Sequence, residues 1–266
     1  MIDRFGRTID YLRISVTDRC NLRCRYCMPP VGLQLLRHED ILSFEEIVGV
    51  AQSAVGLGLT KIRLTGGEPL VRRGIETLVG LLADIKGLAD LAMTTNGLLL
   101  SEYALMLAAA GLRRVNVSLD AIDPESYATI TRGGDVRRVL AGIEAARLAG
   151  LNPIKINCVV GPSGVDRNAN DVAEYARREG FEVRFIRQMN LAAGSFHVIE
   201  GGSGGNCPIC TRLRLTSDGQ IRPCLFSDLS FSVRQLGAVE AIMQAVANKP
   251  QAGSTCSNRP IHTIGG

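Results

Sequence analysis

Apolar and polar residues first alternate along this chain over 11–17. Leu12, Ile14 and Val16 interleave with Arg13, Ser15 and Thr17, which predicts a strand with two unlike faces. Residues 1–10 are a polar lead-in, and residues 28–42, with Pro29, Pro30 and Gly32, read as a rigid loop. From Ser43 the period changes. Phe44, Ile47, Val48, Ala51 and Val55 form a helical stripe, Ser43 and Glu46 a candidate capping box, and Gly56 and Gly58 the stop. Further strands are expected at 61–65, 90–95, 115–119, 154–160 and 182–187, with helices over 71–84, 101–110, 124–130, 136–149 and 168–179 between them. This alternation predicts an α/β fold: a parallel sheet with helices outside, curled by same-handed crossovers into an open or closed barrel.

The strands carry charges that a buried parallel sheet does not ordinarily hold. Lys61 and Arg63 share one face of their strand, Lys155 and Asn157 share one face of theirs, and Arg13 and Arg184 add two more cations. Singly, each reads equally as a strand-end residue meeting solvent. As a set they call for a common anion, and a phosphate-bearing substrate at the barrel mouth meets that need. Gly66-Gly67-Glu68-Pro69 follows one strand, and Asn96-Gly97, Ser118 and Asp120 end its neighbours. Two glycines allow close backbone approach to a ligand, and Glu68 is expected to accept from an ammonium or hydroxyl. Each of these also reads as an ordinary turn or cap residue.

The pattern changes near residue 190. The expected division is a barrel over 1–190, a glycine-rich linker over 191–206 that ends in Gly201-Gly202-Ser203-Gly204-Gly205, and a further domain over 207–266. In that domain Arg212 and Arg214 alternate with Leu213 and Leu215 ahead of the turn Ser217-Asp218-Gly219-Gln220, as a hairpin does, and a short helix is expected around 235–247.

Cysteines sharpen this picture. Cys20, Cys24 and Cys27 stand at C-x3-C-x2-C spacing just after the first strand, and Cys207, Cys210 and Cys224 repeat a three-thiol set in the last domain. Three thiolates turned toward one point select soft or iron–sulfur centres, and three ligands leave one iron of a four-iron cluster open. Zinc with Cys256 as fourth ligand stays open for the second set, and Cys158, mid-strand, reads as a small buried hydrophobe. The composition agrees with a folded domain: 46% of the 266 residues are hydrophobic and 21% charged. The formal charge of +4 and the 5% aromatic content give no reason to expect nucleic acid. No signal segment or long apolar run is evident, so the expected location is cytoplasmic, with no membrane partner and with eight cysteines serving as ligands rather than disulfides.

Cys20, Cys24 and Cys27 resemble the cluster motif of the radical S-adenosylmethionine (SAM) superfamily, and Gly66–Pro69 resembles its segment contacting the SAM amino group. Within it, residues 12–29, 61–72, 115–123 and 207–226 and the Gly265-Gly266 tail are similar to the GTP 3',8-cyclase family of molybdenum-cofactor biosynthesis. The resemblance implies an incomplete (βα)6 TIM-like barrel whose open side is covered by a small C-terminal cluster-binding domain. It implies two 4Fe-4S clusters and SAM, the first cluster on Cys20, Cys24 and Cys27, the second on Cys207, Cys210 and Cys224 and facing the guanine of GTP. By the same resemblance Gly66, Gly67, Glu68, Asn96, Ser118 and Arg184 lie near SAM, and Arg13, Lys61, Arg63 and Lys155 near the triphosphate. Arg212, Arg214, Gly265 and Gly266 match arginines of the second-cluster segment and a tail reaching the active site. The implied lyase reaction turns GTP into 3',8-cyclo-7,8-dihydro-GTP, with a one-electron reductant such as flavodoxin or ferredoxin before it and a pyranopterin-forming enzyme after it; a homodimer is left open. Three features depart from the family. Arg187-Gln188-Met189-Asn190 replaces a Glu-Phe-Met-Asp run, a stretch before Cys207 is missing, and Cys256 is extra. A related radical SAM enzyme for another nucleotide or a peptide is the alternative, and a non-enzymatic metal-binding module the third reading.

Overall fold

The structure, a computed structural model, describes residues 1–29, 31–32 and 34–256. Six strands, β1 (Tyr11–Ser15), β2 (Lys61–Thr65), β3 (Asp90–Thr95), β4 (Arg114–Ser118), β5 (Lys155–Val160) and β6 (Glu182–Arg187), pair side by side in chain order, all parallel. Between them run α1 (Phe44–Gly56), α2 (Ile75–Ala83), α3 (Leu100–Ala109), α4 (Pro124–Thr131), α5 (Val136–Leu148) and α6 (Arg167–Glu179).

The capping box at α1 forms in both directions. Glu46 N donates to Ser43 Oγ at 3.2 Å, and Ser43 N to Glu46 Oε2 at 2.7 Å. The buried stripe of α1 is Ile47, Val50, Ala51 and Ala54, so the expected Val48 and Val55 lie on its margin. The helix expected over 71–84 starts later, because a 3-10 turn occupies Pro69–Val71 and Gly74 caps α2 from the left-handed region.

Two faces of the sheet divide the chemistry. Leu12, Ile14, Ile62, Leu64, Met93, Val115, Val117 and Ile156 point outward, where the helices bury them completely. The residues between them line the concave face. The expectation of near-uniform apolar strands therefore holds on one face alone.

After β6 the chain returns to β1. Strand β7 (Arg212–Leu215) pairs with it in parallel, Tyr11 opposite Arg212 and Arg13 opposite Arg214; β8 (Gln220–Arg222) and β9 (Phe231–Ser232) follow antiparallel. The nine strands form one sheet with β6 and β9 as its edges, so the barrel stays open. The region from 207 is thus not a detached domain: Leu213 and Leu215 extend the outer apolar layer and cover what would be a bare β1 edge. The helix expected at 235–247 is split at Gly237 into α7 (Val233–Leu236) and α8 (Ala238–Ala247).

Residues 191–206 also depart from a free linker. Phe185 and Glu200 exchange backbone hydrogen bonds at 3.1 and 3.3 Å, as do Asn190 and Ser195 at 2.9 and 3.0 Å. Gly201 packs so closely on β6 that a Cβ there would stand 2.5 Å from Val183 O. The Phe196 ring stacks on Phe226, 4.5 Å between centroids, and ties the segment to the chain that follows Cys224.

Candidate active site

The first cysteine loop leaves the carboxyl end of β1 and is held by the exits of three neighbouring strands. From β2, Gly67 N donates to Thr17 O and Glu68 N to Arg19 O, both at 2.8 Å. That contact demands glycine: a Cβ on Gly67 would lie 2.3 Å from Arg19 O. From β3, Asn96 Nδ2 donates to Asn21 Oδ1 at 2.7 Å and points at Cys20 Sγ, 3.9 Å away. From β4, Asp120 accepts from Tyr26 Oη at 2.7 Å and from Val159 N at 2.8 Å. Arg132, at the end of α4, donates to Arg23 O and Met28 O at 2.9 and 2.8 Å.

Glu68 serves this frame, and the hydroxyl it accepts from is that of Thr95. Glu68 is 1% exposed and accepts from Thr95 Oγ1 at 2.7 Å, Asn96 N at 2.6 Å and Leu70 N at 3.0 Å. Burial raises its pKa to about 7 against those donors, and burial likewise raises Asp120 to about 6. Burial first, and then neighbouring anions, lift Cys20 to about 11, Cys24 to about 12 and Cys27 to about 11. The loop alone favours protonated thiols, so these cysteines become thiolates only beside an added positive charge.

Bounded by the second cysteine set and by the concave face of the strands lies a cavity of about 610 Å³. Among the described residues, seven arginines and three lysines line it against one aspartate, Asp90. The registers align Arg214, Arg13 and Arg63 in one row across β7, β1 and β2. Like charges side by side in a sheet repel, and burial adds to their cost. Burial, with Arg212 close by, brings Arg214 down to about 10, and burial also lowers Arg63 and Arg184. The Nε atoms of Arg63 and Arg184 are buried without a hydrogen-bond acceptor. With its amide oxygen turned to them, Asn116 accepts from Arg63 Nη1 at 2.8 Å and Arg184 Nη1 at 3.3 Å. Lys61 and Lys155, by contrast, are paired with Asp10 and Glu182, and Arg114 with Asp90. Of the expected cations, Arg63 and Arg184 thus keep a buried Nε without an acceptor, whereas Lys61 and Lys155 each have a carboxylate partner.

Cys207, Cys210 and Cys224 line the same cavity. Burial would raise the Cys210 pKa, but Lys249 and Arg212 outweigh it and bring it to about 7. Cys256 does not line the cavity itself. Its sulfur lies 3.3 Å from Arg222 Nη2, and it packs with Leu225 and Phe226, against which Cys224 also packs.

The Radical SAM superfamily model matches residues 14–179. The GTP 3',8-cyclase of Thermodesulfovibrio yellowstonii is 40% identical, with both chains covered in full. Those of Moorella thermoacetica and Geobacter sulfurreducens are each 42% identical, over 92% and 94% of this chain and 91% and 93% of theirs. The chain belongs to the GTP 3',8-cyclase family of radical SAM proteins. Native anSMEcpe with bound AdoMet shares the family fold at 15% identity, with a TM-score of 0.64 over 91% of this chain and 81% of that one. Streptococcus suis SuiB bound to S-adenosylmethionine does so at 16% identity, with a TM-score of 0.63 over 92% and 65%.

For a radical SAM protein the first set is well built. Three free thiols stand on one pinned loop, and Leu22 N also donates to Cys20 Sγ at 3.4 Å, the kind of N–H···S contact that tunes iron–sulfur centres. Among the described residues no three His, Cys, Asp or Glu side chains converge as around a single ion. Ser118 and Arg184 fall in one row with Asn157 between them, and Gly265 and Gly266 lie outside the described residues. Sequence reasoning missed Arg114 and Asn116, although they alternate on β4 as Lys155 and Asn157 do on β5. It also missed the Tyr26–Asp120 bond and Arg132, which carry no local signal.

Proposed function

We propose that the protein converts GTP to 3',8-cyclo-7,8-dihydro-GTP, with SAM and two 4Fe-4S clusters as cofactors. The observation that carries this reading is the row Arg214, Arg13 and Arg63 in a cavity that also holds Cys207, Cys210 and Cys224, in a chain 40–42% identical to curated GTP 3',8-cyclases. Cys20, Cys24 and Cys27 hold the SAM cluster, with the backbone of Gly66 and Gly67 and the side chains of Asn96 and Ser118 beside SAM. Cys207, Cys210 and Cys224 hold the second cluster against the guanine. When bound, the reduced first cluster and SAM supply a one-electron abstraction of hydrogen from C3' of the ribose.

The protein positions, neutralises and encloses. Arg13, Arg63 and Arg214 clamp the triphosphate, Arg184 reaches in from β6, and Arg212 stands beside the second cluster. The 196–206 segment, held by the Phe196–Phe226 stack, walls one side of the cavity and limits water. Overall the C3' hydrogen ends on SAM-derived deoxyadenosine, a C3'–C8 bond forms as the C8=N7 double bond opens, and one electron from the reductant with one proton at N7 makes the product an isomer of GTP. A one-electron reductant of flavodoxin or ferredoxin type feeds the reaction in the cytoplasm, and a pyranopterin-forming enzyme consumes the product. Among the described residues no helix is long and apolar enough to cross a membrane. The test is product analysis by mass spectrometry after anaerobic incubation of reconstituted protein with SAM, dithionite and GTP. A GTP isomer with matching deoxyadenosine is expected; deoxyadenosine that rises with a peptide or ATP but not with GTP would overturn the reading.

A further inference from the structure

Lys249 is 1% exposed, a rare state for lysine unless it is paired. Its Nζ donates to Arg212 O at 2.7 Å and to Pro223 O at 2.6 Å. Those carbonyls belong to different arms of the second cysteine set: Arg212 follows Cys210 by two residues, and Pro223 directly precedes Cys224. One ammonium therefore ties the start of β7 to the end of β8. The third arm is held next door. Arg7, kept in place by Asp3 through a 2.7 Å bond to its Nε, donates to Cys207 O at 2.9 Å. The same guanidinium donates to Pro250 O at 2.7 Å and Gln251 O at 3.0 Å, and so fixes the segment that carries Lys249.

Among the described residues, no carboxylate is among the charges that bear most on Lys249. They are Cys210, Cys224 and Arg7. A buried ammonium without a counter-ion is costly. Three thiolates around an iron–sulfur cluster carry net negative charge and supply that counter-ion. The carbonyl bonds explain the position of Nζ, and the negative partners of the ammonium are the cysteines Cys210 and Cys224.

We propose that Lys249 is the positioning residue of the second cluster, joining its Cys210 and Cys224 arms and placing a fixed positive charge beside it. This rests on the two-cluster reading above. A fixed positive charge at short range favours the more negative, reduced form of the cluster, so its loss lowers the midpoint potential.

The test uses full-length protein with Cys20, Cys24 and Cys27 changed to Ala, so that a single iron–sulfur signal is followed by EPR in an anaerobic redox titration. In that background Lys249→Gln keeps a donor for the carbonyls and removes the charge, whereas Lys249→Arg keeps both. The glutamine variant is expected to show about a tenfold lower ratio of reduced to oxidised cluster at fixed potential, about 59 mV for one electron. The arginine variant is expected to recover most of that shift. A glutamine variant with the parent midpoint overturns the proposal. Where the glutamine variant loses its iron, the arginine variant decides: full iron and sulfide at the parent midpoint supports the proposal, and equal loss overturns it. A Lys249-bearing parent without acid-labile sulfide overturns the two-cluster reading, and this inference with it.

Discussion

Glu68→Gln tests the frame under the first cysteine loop. The Glu68 carboxyl moves from an ordinary 4.5 to about 7 because it is buried, even though Thr95 Oγ1, Asn96 N and Leu70 N donate to it. Between those two values the folded chain keeps a proton that the unfolded chain releases. Stability therefore falls as pH rises through this window and is level above it. A difference of that size corresponds to about 3 kcal/mol. Glutamine carries no titrating proton, so the variant lacks this fall; the acceptor it loses costs about 1–2 kcal/mol at every pH. Asp120, raised from 3.8 to about 6, adds a fall of the same sign in both proteins and cancels in the difference. The assay is urea unfolding of the reduced, metal-free protein from pH 4.5 to 8. The parent's stability relative to the variant should fall by about 3 kcal/mol as pH rises to 7, so the variant, less stable at pH 4.5, becomes the more stable of the two. A gap that stays constant over that range refutes a protonated buried Glu68. Because Glu68 also holds Asn96 N, and Asn96 reaches Asn21 and Cys20, the variant should release iron from the first set faster under chelator.

Arg63→Ala should weaken GTP binding by about 10–100-fold in calorimetry, the loss of a charge-assisted contact, while iron content stays unchanged. Lys61→Ala, whose cation is already paired with Asp10, should cost under about threefold in the same measurement. Cys24→Ala should abolish deoxyadenosine formation from SAM by chromatographic assay, with or without GTP. Gly67→Ala puts a methyl 2.3 Å from Arg19 O, so soluble protein should form but hold much less iron at the first set by iron and sulfide analysis.

Most of the barrel was legible because each strand or helix advertises itself over a few consecutive residues. β2 and β6 begin and end where the alternation predicts, and both cysteine sets lie in short spans of sequence. What escaped was long-range. Nothing near Arg212 says that β7 lies beside β1, since that pairing spans 201 residues of chain, from Tyr11 to Arg212. A run of glycines reads as flexible when only composition is known, yet Gly201 is pressed against Val183 O. Glu68 illustrates the same limit inside a motif: spacing placed it at the site, but only the structure shows its carboxyl turned to Thr95 and Asn96. Lys249 was silent because a lone lysine before a proline has no pattern.

The β1–β7 register decides how substrate must lie. The first cysteine loop follows the carboxyl end of β1, whereas Cys210 precedes Arg212, which pairs with Tyr11 at the amino end. The two sets are therefore separated by at least the length of β1, about 13 Å at the usual strand rise. The row Arg214, Arg13 and Arg63 crosses the sheet within that span. A bound molecule must reach the second set with one end, show a C–H bond toward the first loop, and place strong negative charge on the strands between. A nucleoside triphosphate has these three parts on separate atoms. An uncharged peptide has no group for the middle row and would leave Arg63 and Arg184 buried without the acceptors their Nε atoms lack. Charge thus separates a nucleotide from a peptide in this cavity, although the fold is shared with anSMEcpe and SuiB.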